Sequence, residues 1–255
     1  MTNPHGTPIW YELMTSDPDA AQAFYTHVIG WSAGRFPGAP DGAADYRIFS
    51  APDGEGVGGM MKPPEGGPPP GWFGYIGVDD VDASVASIQN AGGSVHMPPT
   101  DIDGVGRLAM VADPQGVVFY VMKGSSPEGS TAFKRMAPGH GEWNELVTTD
   151  DQAALGFYGE QFGWKKDGAM PMGEMGDYSF LSHHGGMIGA VMKAPPGQAP
   201  GWNYFFRVGD IDEAKHRIED AGGSINQGPV EVPGGDFVIY AADPQGAKFG
   251  VVGSR

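Results

Sequence analysis

Trp10-Tyr11-Glu12-Leu13-Met14-Thr15-Ser16-Asp17 returns as Trp143-Asn144-Glu145-Leu146-Val147-Thr148-Thr149-Asp150, 133 residues further on. The same spacing carries Phe24-Tyr25 and Gly30-Trp31 onto Phe157-Tyr158 and Gly163-Trp164. At a spacing of 130, Gly71-Trp72 returns as Gly201-Trp202, Ala91-Gly92-Gly93-Ser94 as Ala221-Gly222-Gly223-Ser224, and Ala112-Asp113-Pro114-Gln115-Gly116 as Ala242-Asp243-Pro244-Gln245-Gly246. A register held from end to end means two copies of one domain, each about half of the chain.

A weaker repeat lies inside each copy. Asp17-Pro18-Asp19-Ala20 has its counterpart in Asp80-Val81-Asp82-Ala83, and Gly30, Gly93, Gly163 and Gly223 each stand 13 residues after Asp17, Asp80, Asp150 and Asp210. The chain is thus four copies of one small module. Each opens on an alternating segment such as Ile9-Trp10-Tyr11-Glu12-Leu13-Met14, which predicts a strand with one buried face. The aspartate then offers a carboxylate to the free N–H groups of a first helical turn, with Pro18 just behind Asp17. Ala20, Ala23, Phe24 and Val28 recur at helical spacing, as do Val81, Val85, Ile88 and Ala91. The glycine is expected to close the helix in the left-handed conformation.

Strand-like pieces follow at roughly 31–36, 45–50 and 56–61 in the first module and 94–97, 106–112 and 117–122 in the second, with Asp113-Pro114-Gln115-Gly116 as a turn. The module therefore reads βαβββ, and the fold class is α+β. Pro-rich bridges, residues 62–70 and 193–200, join the modules within each copy and act as stiff spacers. The expected domains are residues 5–124 and 138–254, with 125–137 as a linker.

Composition narrows the function. The 43 Gly and 23 Pro punctuate many short strands, and the formal net charge of −16 repels phosphate backbones, so nucleic acid is not an expected partner. Absence of cysteine excludes disulfides, thiolate nucleophiles and Cys-ligated metals. The first residues carry no signal-peptide pattern and no apolar run approaches membrane-spanning length, so a cytoplasmic protein with no membrane partner is expected, as a monomer of two tandem domains or a homodimer.

Four βαβββ modules with Trp-x-Glu-Leu-x-Thr-x-Asp, Phe-Tyr and Gly-Trp signatures resemble the vicinal oxygen chelate superfamily of glyoxalase I, bleomycin-resistance proteins, fosfomycin-resistance enzymes and extradiol dioxygenases. The resemblance covers nearly the whole chain and is narrower toward tandem glyoxalase-like proteins. It implies two tandem domains with curled mixed sheets, in which modules pair, within a copy or across copies, to form a cup that in the enzymes holds a divalent metal. The first metal ligand of such a cup would fall at Trp10, Phe73, Trp143 and Asn203, and a later glutamate at Tyr120 and Gly250. Indole and phenyl rings do not ligate divalent ions and an Asn carbonyl is a weak ligand. The usual metal site is therefore expected to be missing, and no cofactor is expected.

Glu12 and Glu145 lie two residues past Trp10 and Trp143, on the same strand face, and are the candidate catalytic residues. A carboxylate among aromatic rings is suited to serve as a general base or to hold a cationic or hydroxyl-bearing ligand. The structural alternative, in which each glutamate caps backbone donors or pairs with an arginine, stays open. Trp10, Phe73, Tyr75 and Tyr120 are expected around Glu12, and Trp143, Asn203 and Phe205 around Glu145. Arg107 and Arg207, without repeated counterparts, read either as anion clamps or as partners of those glutamates. Tyr46 and Tyr178 repeat and read as pocket cover or core. Met170-Pro171-Met172-Gly173-Glu174-Met175 suits a lid or an ordinary hairpin loop.

His183-His184 falls in a turn and, with His96, is the possible partner of a residual metal site; His5, His27, His140 and His216 read as surface residues. Nucleotide loops and the Gly-x-Ser-x-Gly elbow are absent. The expected function is small-molecule binding in aromatic-lined cups without the usual metal, either as a sequestering module or as a lyase or isomerase with a glutamate base. The alternative is a metal-dependent glyoxalase- or dioxygenase-type enzyme with a non-standard ligand set. Fold alone does not choose between them.

Overall fold

The computed structural model describes residues 2–36, 45–65 and 67–255. Gly66 of the first Pro-rich bridge lies outside the described residues. The first copy runs β1 (Pro8–Met14), α1 (Pro18–Ile29), β2 (Ser32–Arg35), β3 (Arg47–Ser50), β4 (Gly56–Met61), β5 (Gly71–Gly77), α2 (Val81–Asn90), β6 (Ser94–Ile102), β7 (Gly106–Ala112) and β8 (Val118–Gly124). The second runs β9 (Gly141–Thr148), α3 (Asp151–Phe162), β10 (Lys165–Pro171), a 3-10 turn at Gly173–Met175, β11 (Asp177–His183), β12 (Gly186–Lys193), β13 (Gly201–Asp210), α4 (Ile211–Asp220), β14 (Ser224–Glu231), β15 (Phe237–Ala242) and β16 (Lys248–Ser254). No described helix is long and apolar enough to cross a membrane.

The βαβββ order holds in all four modules. The strands form two mixed eight-stranded sheets, ordered β2-β3-β4-β1-β5-β8-β7-β6 and β10-β11-β12-β9-β13-β16-β15-β14. In each module the opening strand runs parallel to the closing one, as β1 does to β4 and β9 to β12, because the helix between them carries the chain back to its starting end.

The helices start where the aspartates predict. Asp17, Asp80, Asp150 and Asp210 accept the backbone N–H three residues on, at 3.1, 2.9, 2.9 and 2.9 Å. Each such cap stabilises its helix by about 1 kcal/mol. At the other end the four modules divide. Gly30 and Gly163 close α1 and α3 in the left-handed conformation, φ 86° and 71°. In α2 and α4 the left-handed residues are instead Gly92 and Gly222, φ 91° and 80°, one position before the glycines the spacing singles out. Gly93 is required for a different reason. A Cβ there would stand 2.5 Å from the Ala112 carbonyl oxygen and 2.6 Å from Ile88 Cγ2.

The chain packs as two compact units. One combines the second and third modules, as Met1–Ile9, Gly74–Ser130 and Trp143–Trp202. The other combines the first and fourth, as Trp10–Phe73, Thr131–Glu142 and Asn203–Arg255. In the latter, Tyr25 of α1 is surrounded by Phe24, Trp31, Phe49, Trp72 and Phe249 with ring centroids 5.0–5.9 Å apart. Its buried hydroxyl accepts the Trp72 indole N–H at 2.9 Å and donates to Asp243 at 3.1 Å, so the polar tip of a buried tyrosine is satisfied.

The unit of the second and third modules repeats this with Tyr158 of α3. It stacks on Trp164 at 5.3 Å, meets Trp202 edge-on, and donates its hydroxyl proton to Asp113 at 3.1 Å. The Asp-Pro-Gln-Gly turns thereby acquire a second role. The other carboxylate oxygen of Asp113 takes the N–H groups of Gln115 and Val117, and that of Asp243 takes those of Gln245 and Ala247. Burial raises the pKa of both carboxyls, and burial with the nearby Asp243 charge raises that of the Tyr25 phenol.

Candidate functional site

Strand alternation separates the faces of β1. Tyr11 and Leu13 are fully buried, and Tyr11 packs edge-on against Tyr204 and Phe206. Trp10 and Glu12 point the other way. Glu12 is 2% exposed. The segment before β3 brings Tyr46 to it: the phenol donates to a Glu12 carboxylate oxygen at 2.9 Å, and the same phenol oxygen accepts the Trp10 indole N–H at 3.2 Å. The three side chains form one line of donors ending on a carboxylate.

The room for this line is a glycine. Gly59 of β4 stands in register with Glu12 on one side and with Ile48 of β3 on the other. A Cβ on Gly59 would fall into the Tyr46 hydroxyl and lie 3.0 Å from Glu12 Oε1. Gly58 beside it serves the backbone, since its Cβ would lie 2.5 Å from the Tyr11 carbonyl oxygen.

The second copy builds the same line within the other compact unit. Trp143 donates to the Tyr178 oxygen at 2.9 Å, and Tyr178 donates to Glu145 at 2.9 Å. Glu145 is 1% exposed. Ala190 and then Phe180 stand in register with Glu145. The Phe180 ring is edge-on to both Trp143 and Tyr178, at 6.2 and 5.8 Å.

Chemically, a phenol donating to a carboxylate makes a charge-assisted bond and fixes the carboxylate's orientation. The indole N–H donating into that phenol polarises its O–H further. Such a carboxylate can take a hydroxyl proton donor from a ligand, while the half-buried indole beside it offers a flat face for a ring. In each copy a tyrosine donates to the glutamate and fixes one of its carboxylate oxygens.

The other expected residues are distributed as follows. Tyr75 and Tyr120 are in register and stack at 4.2 Å with rings 11° from parallel. Phe205 meets Tyr240 edge-on at 4.9 Å, and its ring occupies the space that any side chain at Gly250 would need. Phe73 and Asn203 are half-buried on β5 and β13. Arg107 is committed elsewhere: it forks onto Asp82 at 2.7 and 2.9 Å and reaches Asp101 at 2.9 Å, holding the Asp82 carboxyl below the usual carboxylate range. Arg207 forks onto Asp236. Pairing with Glu12 or Glu145, the alternative reading of these arginines, is not what the side chains do.

The histidines correct one expectation. His140, expected at the surface, is fully buried, with Nδ1 2.6 Å from the Thr131 carbonyl oxygen and Nε2 3.0 Å from Asp53. It pins the segment between the copies. His27, His96 and His216 are exposed, and His5 bonds through both ring nitrogens to the Gln161 carbonyl and the Asp79 N–H. His183 is half-buried, and burial pushes its imidazole down to about 4, helped by His184.

The positions that the resemblance marks for a first metal ligand hold two indoles, a phenyl ring and an amide, at Trp10, Trp143, Phe73 and Asn203. The phenol beside each of Glu12 and Glu145 donates its proton, and the indole N–H behind it cannot accept. The two positions where the resemblance implies a further carboxylate hold a stacked tyrosine and a glycine covered by a phenyl ring. Among the described residues, no group of three or more His, Asp or Glu is placed to hold a metal ion.

Tyr46 and Tyr178 are the residues whose weight sequence reasoning understated. Their signal was present: both copies keep a tyrosine just before or within the second strand of the triplet, 132 residues apart. That the hydroxyls land on Glu12 and Glu145 depends on strand register.

Comparison with known proteins follows the same lines. Residues 8–121 and 140–251 each match the model of the Glyoxalase/Bleomycin resistance protein/Dioxygenase superfamily. CFP32 of Mycobacterium tuberculosis (strain CDC 1551 / Oshkosh), whose name assigns it provisionally to the glyoxylases, is 34% identical over 251 residues, spanning 97% of this chain and 94% of that protein. The anthracycline biosynthesis protein DnrV of Streptomyces peucetius is 33% identical over 271 residues, spanning 98% of this chain and 94% of that protein. Among solved structures, the Mn(II)-bound glyoxalase from Novosphingobium aromaticivorans superposes with a TM-score of 0.67 at 22% identity, over 98% of this chain and 83% of that one. The 2,3-dioxygenase LapB from Pseudomonas sp. KL28 gives 0.67 at 16% identity, over 100% and 93%. At these identities the structural likeness concerns the fold.

Proposed function

The chain belongs to the Glyoxalase/Bleomycin resistance protein/Dioxygenase superfamily, and from that premise we propose that it binds a small, hydroxyl-bearing organic molecule at its Trp–Tyr–Glu lines, without the family's usual metal. The observation that carries this reading is the duplicated geometry: in each copy a buried glutamate takes a tyrosine O–H at 2.9 Å, and that tyrosine takes a tryptophan N–H. A buried carboxylate is costly to desolvate. Four modules that diverge elsewhere keep it twice, beside a half-buried indole each time, and this supports a ligand anchor. The relatives named for anthracycline biosynthesis are in keeping with a flat ligand.

Chemistry at the same place is favoured by one specific feature, the burial of Glu12 and Glu145 at 2% and 1% exposure. A carboxylate withdrawn from water and aligned by a phenol is placed to accept a proton from a bound hydroxyl or an acidic C–H, as a metal-independent lyase or isomerase requires. What supports the metal-free reading is the residue chemistry at the expected first-ligand positions, Trp10, Phe73, Trp143 and Asn203.

Thermal shift and calorimetry on the full chain test the proposal, with resorcinol as a hydroxylated ring and choline as a cation. Resorcinol is expected to raise the melting temperature, and the Glu12→Gln, Glu145→Gln double variant to lose that response. Stabilisation by choline alone would replace the hydroxyl-bearing ligand with a cationic one. Elemental analysis of protein purified without chelators addresses the metal: a stoichiometric transition ion whose removal ends binding would overturn that part.

A further inference from the structure

The two Trp–Tyr–Glu lines duplicate each other in their polar atoms and differ in the side chains around them. Across the sheet from Glu12 come Gly59 and Ile48; across from Glu145 come Ala190 and Phe180. One step along, Gly56 pairs with Ser50 where Met187 pairs with Ser182. Three positions on the ligand face are thus Ile48, Gly56 and Gly59 in the first copy, and Phe180, Met187 and Ala190 in the second.

Gly56 in the first copy and Phe180 in the second border the indole. A Cβ on Gly56 would stand 3.4 Å from two atoms of the Trp10 six-membered ring and 3.7 Å from Ile48 Cγ2, so the absent side chain leaves that edge of Trp10 uncovered by residue 56. In the second copy the Phe180 ring stands edge-on to Trp143 and Tyr178 together. It takes up the aromatic contact that a ligand ring would otherwise make with that indole and phenol.

Resting on the ligand reading above, we propose that the two lines are binding sites of unequal width. The first accepts a flat fused-ring ligand bearing hydroxyl groups, and the second accepts no more than a single hydroxylated ring. Glu12 and Glu145 anchor the hydroxyl in both; Ile48, Gly56 and Gly59 admit the larger ring, and Phe180, Met187 and Ala190 refuse it by steric overlap, which packed protein surroundings relieve poorly.

Calorimetry on the full chain with two probes, resorcinol and 2,7-dihydroxynaphthalene, tests this. The expected stoichiometry is two resorcinol molecules per chain and one dihydroxynaphthalene. Glu12→Gln is expected to abolish the dihydroxynaphthalene site. Ile48→Phe should weaken dihydroxynaphthalene about tenfold or more relative to resorcinol. Since a larger side chain can disturb folding, the reciprocal Phe180→Ile, Met187→Gly variant supplies the second arm: it should raise dihydroxynaphthalene stoichiometry from one to two. Two dihydroxynaphthalene sites in the unaltered protein, or one that survives Glu12→Gln, would overturn the unequal widths and leave the ligand reading standing. Binding of neither probe would overturn the ligand reading, and the width proposal with it.

Discussion

The Tyr178 hydroxyl stands 2.9 Å from a Glu145 carboxylate oxygen, although the two residues belong to strands two places apart in the sheet. Tyr46 and Glu12 reproduce the relationship in the first copy. A hydrogen bond to a charged, buried acceptor stabilises a fold by about 1.5–3 kcal/mol. Tyr46→Phe and Tyr178→Phe are each expected to lower the unfolding free energy in urea by about that much, and to weaken resorcinol binding. Urea curves that overlay the parent's would remove the bond from any structural account of the site.

Gly59 and Ala190 hold the same register position, and exchanging either is expected to cost stability for a different reason. Gly59→Ala drives a methyl into the Tyr46 hydroxyl and is expected to cost about 1–3 kcal/mol by overpacking. Ala190→Gly costs about 0.5–1 kcal/mol through backbone freedom alone. Tyr46 ring resonances followed by NMR separate the two effects, because only Gly59→Ala should move the phenol off Glu12.

Tyr25 joins Trp72 to Asp243, 218 residues away in sequence. Tyr25→Phe deletes both bonds while keeping the ring, so the packing with Trp31, Phe49 and Phe249 survives and the loss isolates the hydroxyl. About 1–3 kcal/mol of unfolding free energy is expected to go, with the far-ultraviolet spectrum unchanged. A fully additive Tyr25→Phe, Asp243→Asn double variant would contradict direct coupling of the pair.

His183 sets a pH dependence with a definite sign. Burial lowers its imidazole from 6.5 to about 4, so between those values the unfolded chain binds a proton that the folded chain refuses. Stability contributed by the neutral ring is complete above pH 6.5 and is lost as pH falls through about 4. Melting temperatures measured across that window should fall less steeply for His183→Gln than for the parent. Parallel curves would show that this histidine is not a source of the acid sensitivity.

Much of the fold is legible locally. Caps, helix lengths and turns depend on residues within a few positions of one another, so Asp17, Asp80, Asp150 and Asp210 announce their helices directly. The shift of the left-handed residue from Gly93 to Gly92 shows the limit, since two adjacent glycines satisfy the same spacing for different reasons and only backbone angles separate them. Charged side chains are less legible still. Arg107 has acidic residues at many sequence distances, and Asp82 and Asp101 win because they stand beside it in space. His140 looks like a surface residue until Thr131 and Asp53 close around it.

The amino-acid sequence by itself determined the fourfold βαβββ repeat, the helix starts, and the placing of one glutamate two residues past a tryptophan in each copy, because periodicity and capping act over a few residues. Tertiary structure alone decided that Tyr46 and Tyr178 hold those glutamates, that Tyr25 reaches Asp243 and Tyr158 reaches Asp113, and that Ile48 and Phe180 face the two carboxylates across the sheet. Those relationships are set by strand register and by the packing of modules distant in sequence. A register shift of one residue would turn every one of the sheet-borne partners to the opposite face.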